Sequence, residues 1–269
     1  MYEEARSAAV PGAVLWRAGG PGGGSGGMVL PDGCMDLLWV DGRLLVAGTD
    51  TRPHPAGEVP GGVFAGIRLA PGTAPALLGV PAHVLRDRRV ELAELWPARE
   101  ARRLAGLVGS YGDPRAGLEE LAARRAAGAG PPDPVTAEVA ARLRAGEAVA
   151  AVAAAVGLGE RQLHRRSLDA FGYGPRTLGR VLRMRRALAL ARSGMRYAEV
   201  AHAAGYADQA HLAREVRALA GTTLTAYTTG SGSAGARRGT YEGSAGAPGA
   251  DSEGANSETP QPSGSRTTA

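Results

Sequence analysis

Between residues 148 and 224 the chain states one pattern twice, and this duplication limits the possible folds more than any other feature. The first copy is AVAAVAAAVGLGERQLHRRSLDAFGYGP, residues 148–175; the second is YAEVAHAAGYADQAHLAREVRALAGTTL, residues 197–224. Aligned on the second half of each copy, Leu163 matches Leu212, Arg165 matches Arg214 and Gly172 matches Gly221, all 49 residues apart. Gly157 and Gly205 lie 48 apart, so the second copy carries one extra residue in its turn. Each copy reads as a short helix of small residues (149–156; 198–204), a glycine suited to positive φ, and a second helix (160–171; 208–220). Small residues let the two helices approach closely, while apolar positions at helical spacing give the second helix one packed and one polar face. Glu160 and Asp208 are expected in the first turn of those helices, where the helix dipole favours a carboxylate. Between the copies, residues 175–192 read as one long helix carrying Leu178, Val181, Leu182, Leu188 and Leu190.

Charge is concentrated in the same place. All 31 basic residues of the 269 are arginine. Over residues 1–133, 14 arginines stand against 15 carboxylates; over 134–229, 14 stand against 7; beyond that, 3 stand against 4. The formal charge of +5 is therefore a local excess of +7 on the duplicated region. A segmental excess of this kind suits a polyanionic partner.

The segment G-Y-x-D-Q-x-H-L-x-R-x-V-x-x-x-x-G-x-T, residues 205–223, closely resembles the second-unit signature of the AraC/XylS family of transcription regulators. L-x-R-x-x-x-x-x-x-G, residues 163–172, resembles the first. The resemblance covers about a third of the chain, with two copies in order. It implies two helix-turn-helix units over residues 135–228, set about one DNA turn, ~34 Å, apart so that they meet successive major grooves of double-stranded DNA. It also implies base contacts from the early exposed face of each recognition helix. On this chain those positions are Arg161, His164 and Arg165, then Gln209, Ala210, His211 and Arg214. The chemistry fits, since Arg pairs with guanine O6/N7 and Gln with adenine N6/N7. Arg166, Arg176, Arg180 and Arg183 are placed to hold phosphates. Three positions depart from the family pattern: Gly159 replaces a Ser or Thr cap, Ser167 a large apolar residue, and Leu224 a proline. The first unit is the weaker match. Arg165 and Arg214 have a competing reading as salt-bridge residues, and His211 one as a residue packing at the turn.

The remainder reads as α+β: a β-rich N-terminal domain with trailing helices over 1–127, a linker at 128–134, and a disordered Gly/Ser/Thr/Pro-rich tail over 229–269. Residues 19–27 (GGPGGGSGG) read as a loop. Leu37–Val40 and Leu44–Ala47 flank Asp41-Gly42, a hairpin signal, because a type I′ turn needs positive φ at both central positions. A further strand over 63–69 stops at Pro71-Gly72, after which Val90, Leu92, Leu95 and Trp96 open a helical period continued by Leu104, Leu107, Val108, Leu118 and Leu121. His54 reads as a loop residue and His83 as the start of a helix. The N-terminal residues lack a basic region followed by an apolar run, and no stretch approaches the ~20 apolar residues of a membrane span, so a cytoplasmic protein without membrane contact is expected.

Within the N-terminal part, P-D-G-C-x-D-L-x-W from residue 31, with GIRLAPG from residue 66, resembles an uncharacterised domain found upstream of some AraC-type regulators. That resemblance implies a regulatory position and no chemistry. Asp32 and Asp36, four apart, would share one face of an extended strand, either as a polar effector site or as a pair that shapes a turn. Cys34, the sole cysteine, is either a sensor or a buried inert thiol, and it rules out an intrachain disulfide and the four-cysteine zinc cluster of methyl-accepting repair proteins. No metal, cofactor or catalytic constellation is expected. The expected partners are DNA, RNA polymerase and a small-molecule effector. Two alternatives stay open: a non-sensing N-terminal domain that only dimerises, and an alkylation response using Cys34.

Overall fold

The computed structural model describes residues 2–19, 28–55, 63–130 and 133–230. Its N-terminal strands are β1 (Tyr2–Arg6), β2 (Val14–Gly19), β3 (Met28–Val29), β4 (Met35–Val40), β5 (Arg43–Ala47), β6 (His54–Pro55), β7 (Val63–Leu69) and β8 (Arg89–Glu91). Six of them form a sheet in the order β1-β2-β7-β4-β5-β8, every pairing antiparallel, while β3 and β6 form a separate two-stranded ribbon. Side chains alternate across a strand, and the register aligns Leu15, Ile67, Leu37, Val46 and Val90 in one row. That row is buried. It is covered by α1 (Ala74–Leu78), α2 (Ala98–Gly109) and α3 (Pro114–Ala129), which bring Leu77, Leu104, Val108, Leu118 and Leu121.

The Asp41-Gly42 turn takes the expected form, with φ of 47° and 77° between β4 and β5. The helical period begins later than expected. Val90 lies in β8, held by pairing to Val46, and Leu92–Glu94 is a 3-10 turn, so after α1 regular helix resumes only at α2. His83 lies in another 3-10 turn, Ala82–Leu85, and His54 pairs with Val29 in the ribbon and is not in a loop. Gly19 ends β2; residues 20–27 of the expected loop lie outside the described residues. The linker expected at 128–134 is shorter on both sides, because α3 runs to Ala129 and Pro134 takes the first position of the next helix, where its missing N–H costs nothing. Gly230 caps the last helix, and the expected disordered tail from 231 on also lies outside the described residues.

The second region is wholly helical: α4 (Pro134–Ala145), α5 (Val149–Ala155), α6 (Glu160–Phe171), α7 (Pro175–Arg192), α8 (Tyr197–Ala203), α9 (Gln209–Ala220) and α10 (Leu224–Thr229). Gly157 and Gly205 turn the chain between the members of each pair at φ of 68° and 79°. One core joins Val139, Leu143, Val152, Leu163 and Phe171 to Leu178 and Leu182 of α7. The other joins Val200, Leu212, Val216 and Tyr227 to Met184 and Leu188 of the same helix. The protein is thus α+β, with a β-rich N-terminal part followed by two helix-turn-helix units sharing α7. Among the described residues no helix is long and apolar enough to cross a membrane.

The two cores are not equally good. Ser167 occupies the position of Val216 in the repeat, is 1% exposed, and its hydroxyl has no hydrogen-bond partner among the described residues. A buried hydroxyl without a partner costs about 1–3 kcal/mol. Ser167→Ala is therefore expected to stabilise the protein by about 1 kcal/mol, read as a rise in the urea midpoint with unchanged slope.

Candidate nucleic-acid interface

Packing decides which face of each second helix meets solvent. In α6, Leu163, Ser167 and Phe171 face the core, which leaves Arg161, His164, Arg165 and Arg166 exposed. The helix starts at Gly159, whose N–H donates to Gln162 Oε1 at 3.1 Å, so the Gln side chain supplies part of what the missing Ser or Thr cap would. In α9, Leu212, Val216 and Leu219 face inward and Gln209, Ala210 and Arg214 outward. Asp208 is the N-cap and not a first-turn residue: its carboxylate accepts the His211 N–H at 2.6 Å. The two candidate histidines differ. His164 is exposed but lies over the backbone of Gly174, where a Cβ would come within 2.6 Å of the ring. His211 is half-buried, its ring edge-on to Tyr206 at 5.2 Å.

The arginines sort by what already holds them. Arg161, Arg165, Arg176 and Arg214 are exposed and have no carboxylate within ion-pair distance among the described residues. Three expected phosphate holders are engaged inside the chain instead. Arg166 donates to Asp133 Oδ2 from Nη2 at 2.7 Å and from Nε at 3.1 Å. Arg180 grips Glu215 with two parallel bonds of 2.9 Å. Arg183 lies over the Tyr206 ring, 4.7 Å from its centre. Arg166 and Glu215 are equivalent in the repeat, so each exposed helix carries an ion pair at the same point, α6 to Asp133, the N-cap of α4, and α9 to Arg180 of α7. Arg186 and Arg217 are exposed too and were not singled out from sequence, although Arg217 stands three residues after Arg214, the spacing that puts both on one face.

In the N-terminal part, Asp32 and Asp36 do come together, around Arg68 of β7. Its Nε lies 3.2 Å from Asp32 and 3.6 Å from Asp36. Burial works against the charge of Arg68, but the two carboxylates more than restore it. Asp36 also accepts the Trp16 Nε1–H at 2.6 Å, and Asp32 accepts the Cys34 N–H at 2.9 Å. Asp32 lies in the turn before β4 and is not on a shared strand face with Asp36. Cys34 is buried, and burial pushes its thiol well above the ordinary range. Sequence reading missed Arg68; the signal was a lone charge inside the apolar run VFAGIRL. Among the described residues no group of three or more His, Cys, Asp or Glu is arranged to hold a metal.

Residues 152–230 match the helix-turn-helix domain family, and residues 15–91 match a domain of unknown function, DUF6597. The helical region is therefore a helix-turn-helix DNA-binding domain. No curated protein sequence matches the chain. Among solved structures, the chain is similar to ToxT from Vibrio cholerae at 9% identity and a TM-score of 0.45, over 85% of this chain and 97% of that one. The same protein bound to an unsaturated fatty acid gives 8% identity and 0.42, over 80% and 94%. Bound to (E)-4-(8-methylnaphthalen-1-yl)but-3-enoic acid it gives 8% and 0.46, over 85% and 98%. A likeness this loose carries no argument about function.

The Arg180–Glu215 pair has a pH signature. Hydrogen bonds from Arg180 hold the Glu215 carboxyl below the ordinary value of 4.5. A depressed folded-state value stabilises above the ordinary one, and that contribution is lost as pH falls through the folded value. Glu215→Gln is expected to cost about 0.5 kcal/mol at pH 7, a modest figure because the guanidinium is partly exposed. Urea denaturation at several pH values should show the gap closing below pH 4.5.

Proposed function

We propose that the chain is a sequence-specific DNA-binding transcription regulator of the AraC type. The observation that carries this reading is the pair of like-built units on one shared helix, each presenting an exposed polar helix face with arginines that no carboxylate among the described residues neutralises. Helix α7 has 18 residues. It spans about 27 Å at ~1.5 Å per residue, a length that suits recognition helices entering major grooves one DNA turn apart.

In this reading α6 reads bases through Arg161, His164 and Arg165, and α9 through Gln209, Ala210 and Arg214. His211, packed on Tyr206, serves the turn first and DNA second. Arg176 holds phosphate at the start of α7. Arg166, Arg180 and Arg183 aim the recognition helices through their contacts inside the chain. The N-terminal domain regulates what the bound protein does to transcription by RNA polymerase, and its direct packing on the helical region supports that role. A small-molecule effector would act through the same domain. Burial of Cys34 speaks against an alkylation response, since the thiolate is the nucleophile and burial disfavours it.

Selection of bound duplexes from a random pool should return two short blocks about 10 bp apart; absence of any enriched site at physiological salt would refute the proposal. On the selected site, Arg214→Ala is expected to lose about 1–3 kcal/mol of discrimination at one base pair. Arg176→Ala should instead weaken specific and random duplexes alike and reduce the salt slope by about one.

A further inference from the structure

The N-terminal domain touches the helical region at two places equivalent in the repeat. Gly172 and Gly221, 49 residues apart, cap α6 and α9 in the left-handed conformation. At Gly172 a Cβ would sit 2.2 Å from Thr49 Oγ1, and its carbonyl accepts from Arg86 Nη1 at 3.4 Å. His83 pairs with Asp169 of α6 at 3.2 Å. At Gly221 a Cβ would sit 3.0 Å from the Pro53 ring. Beside it Leu30, only 4% exposed, is buried in the core of the second unit with Met184, Leu212 and Tyr227, and Met28 packs on that core. Met28, Leu30 and Pro53 belong to or adjoin the β3–β6 ribbon, whereas Thr49 lies beside the end of β5, His83 in the 3-10 turn and Arg86 at its C-cap.

From these contacts we infer that the β3–β6 ribbon is a strap that sets the angle of the second recognition helix relative to the first, with Leu30 and Pro53 as positioning residues. The second unit does not close its own core: a leucine from the N-terminal domain completes it. One domain thereby holds the C-terminal ends of both recognition helices, and the spacing of the two reading faces becomes a property of the whole chain. Such a strap selects among operators that differ only in the distance between their two blocks. The inference rests on the DNA-binding reading for that consequence, but the strap itself is tested without DNA.

The test compares the whole wild-type chain with Leu30→Ala, with Pro53→Ala, which removes the ring carbons facing Gly221 and also frees the backbone there, and with Leu77→Ala. The last deletes the same side chain from the sheet core, away from the strap. Hydrogen exchange should quicken by about tenfold or more in peptides covering residues 209–227 for Leu30→Ala, and less for Pro53→Ala, with residues 160–171 unchanged. Leu77→Ala should leave 209–227 as in the wild type. On selected duplexes whose blocks are moved apart by one base pair, the strap variants should lose much of the wild type's discrimination while keeping their affinity for a single block. Unchanged exchange over 209–227 in both strap variants would overturn the inference. Quickened exchange with intact spacing discrimination would overturn its consequence for operator choice.

Discussion

Helix α7 is the part on which the rest depends, because it is buried in two cores at once. Its first half supplies Leu178 and Leu182 to one unit, and its second half supplies Met184 and Leu188 to the other. A helix packed at both ends cannot bend or rotate without opening a cavity, and interiors packed to crystal density resist that. The separation of the two exposed helices is thus set by a rigid element of fixed rise per residue. On this frame the Arg166–Asp133 and Arg180–Glu215 pairs add local ties at equivalent points of α6 and α9. Exposed or half-exposed pairs are worth little as stability.

The N-terminal sheet makes its contribution from outside this frame. Its core is separate from the two helical ones, built on the row from Leu15 to Val90. Several contacts between the N-terminal part and the helices are close approaches at glycine: Gly33 against Leu178 and Tyr173, Gly72 against Thr136 and Phe171, Gly172 against Thr49. Close approach of this kind needs glycine, since any Cβ would push the surfaces apart. The cluster of buried Arg68 with half-buried Asp32 and Asp36 lies near the same seam, with the Tyr173 hydroxyl close to Gly33. Removing Arg68 would leave the two carboxylates facing each other without their shared counter-charge, a costly arrangement away from bulk water.

Much of this was legible in the chain itself. The repeat, the turn glycines and the limits of α6 and α7 follow from periodicity and positive-φ positions, and the Asp41-Gly42 hairpin from a turn that few residues tolerate. The poor fit of Ser167 was visible as a polar residue where the second copy has valine. The strand at Val90 was not, because three residues between helical-looking leucines take extended form only by pairing with β5. Nor were β3 and β6, which pair across the segment that holds β4 and β5, nor β1, a short strand at the edge of the sheet.

What the sequence by itself determined is local: which segments coil, where they turn, and which residue types each helix offers outward. Tertiary structure alone decided which arginines stay open to a partner. Arg165 and Arg180 are the same residue type in the same kind of helix, and they differ only because Glu215 comes from a helix 35 residues away. It also decided that Leu30 belongs to the second unit's core. Both outcomes depend on distances through space, which hydrophobic period and dihedral preference do not encode, since each reports only a residue's near neighbours along the chain.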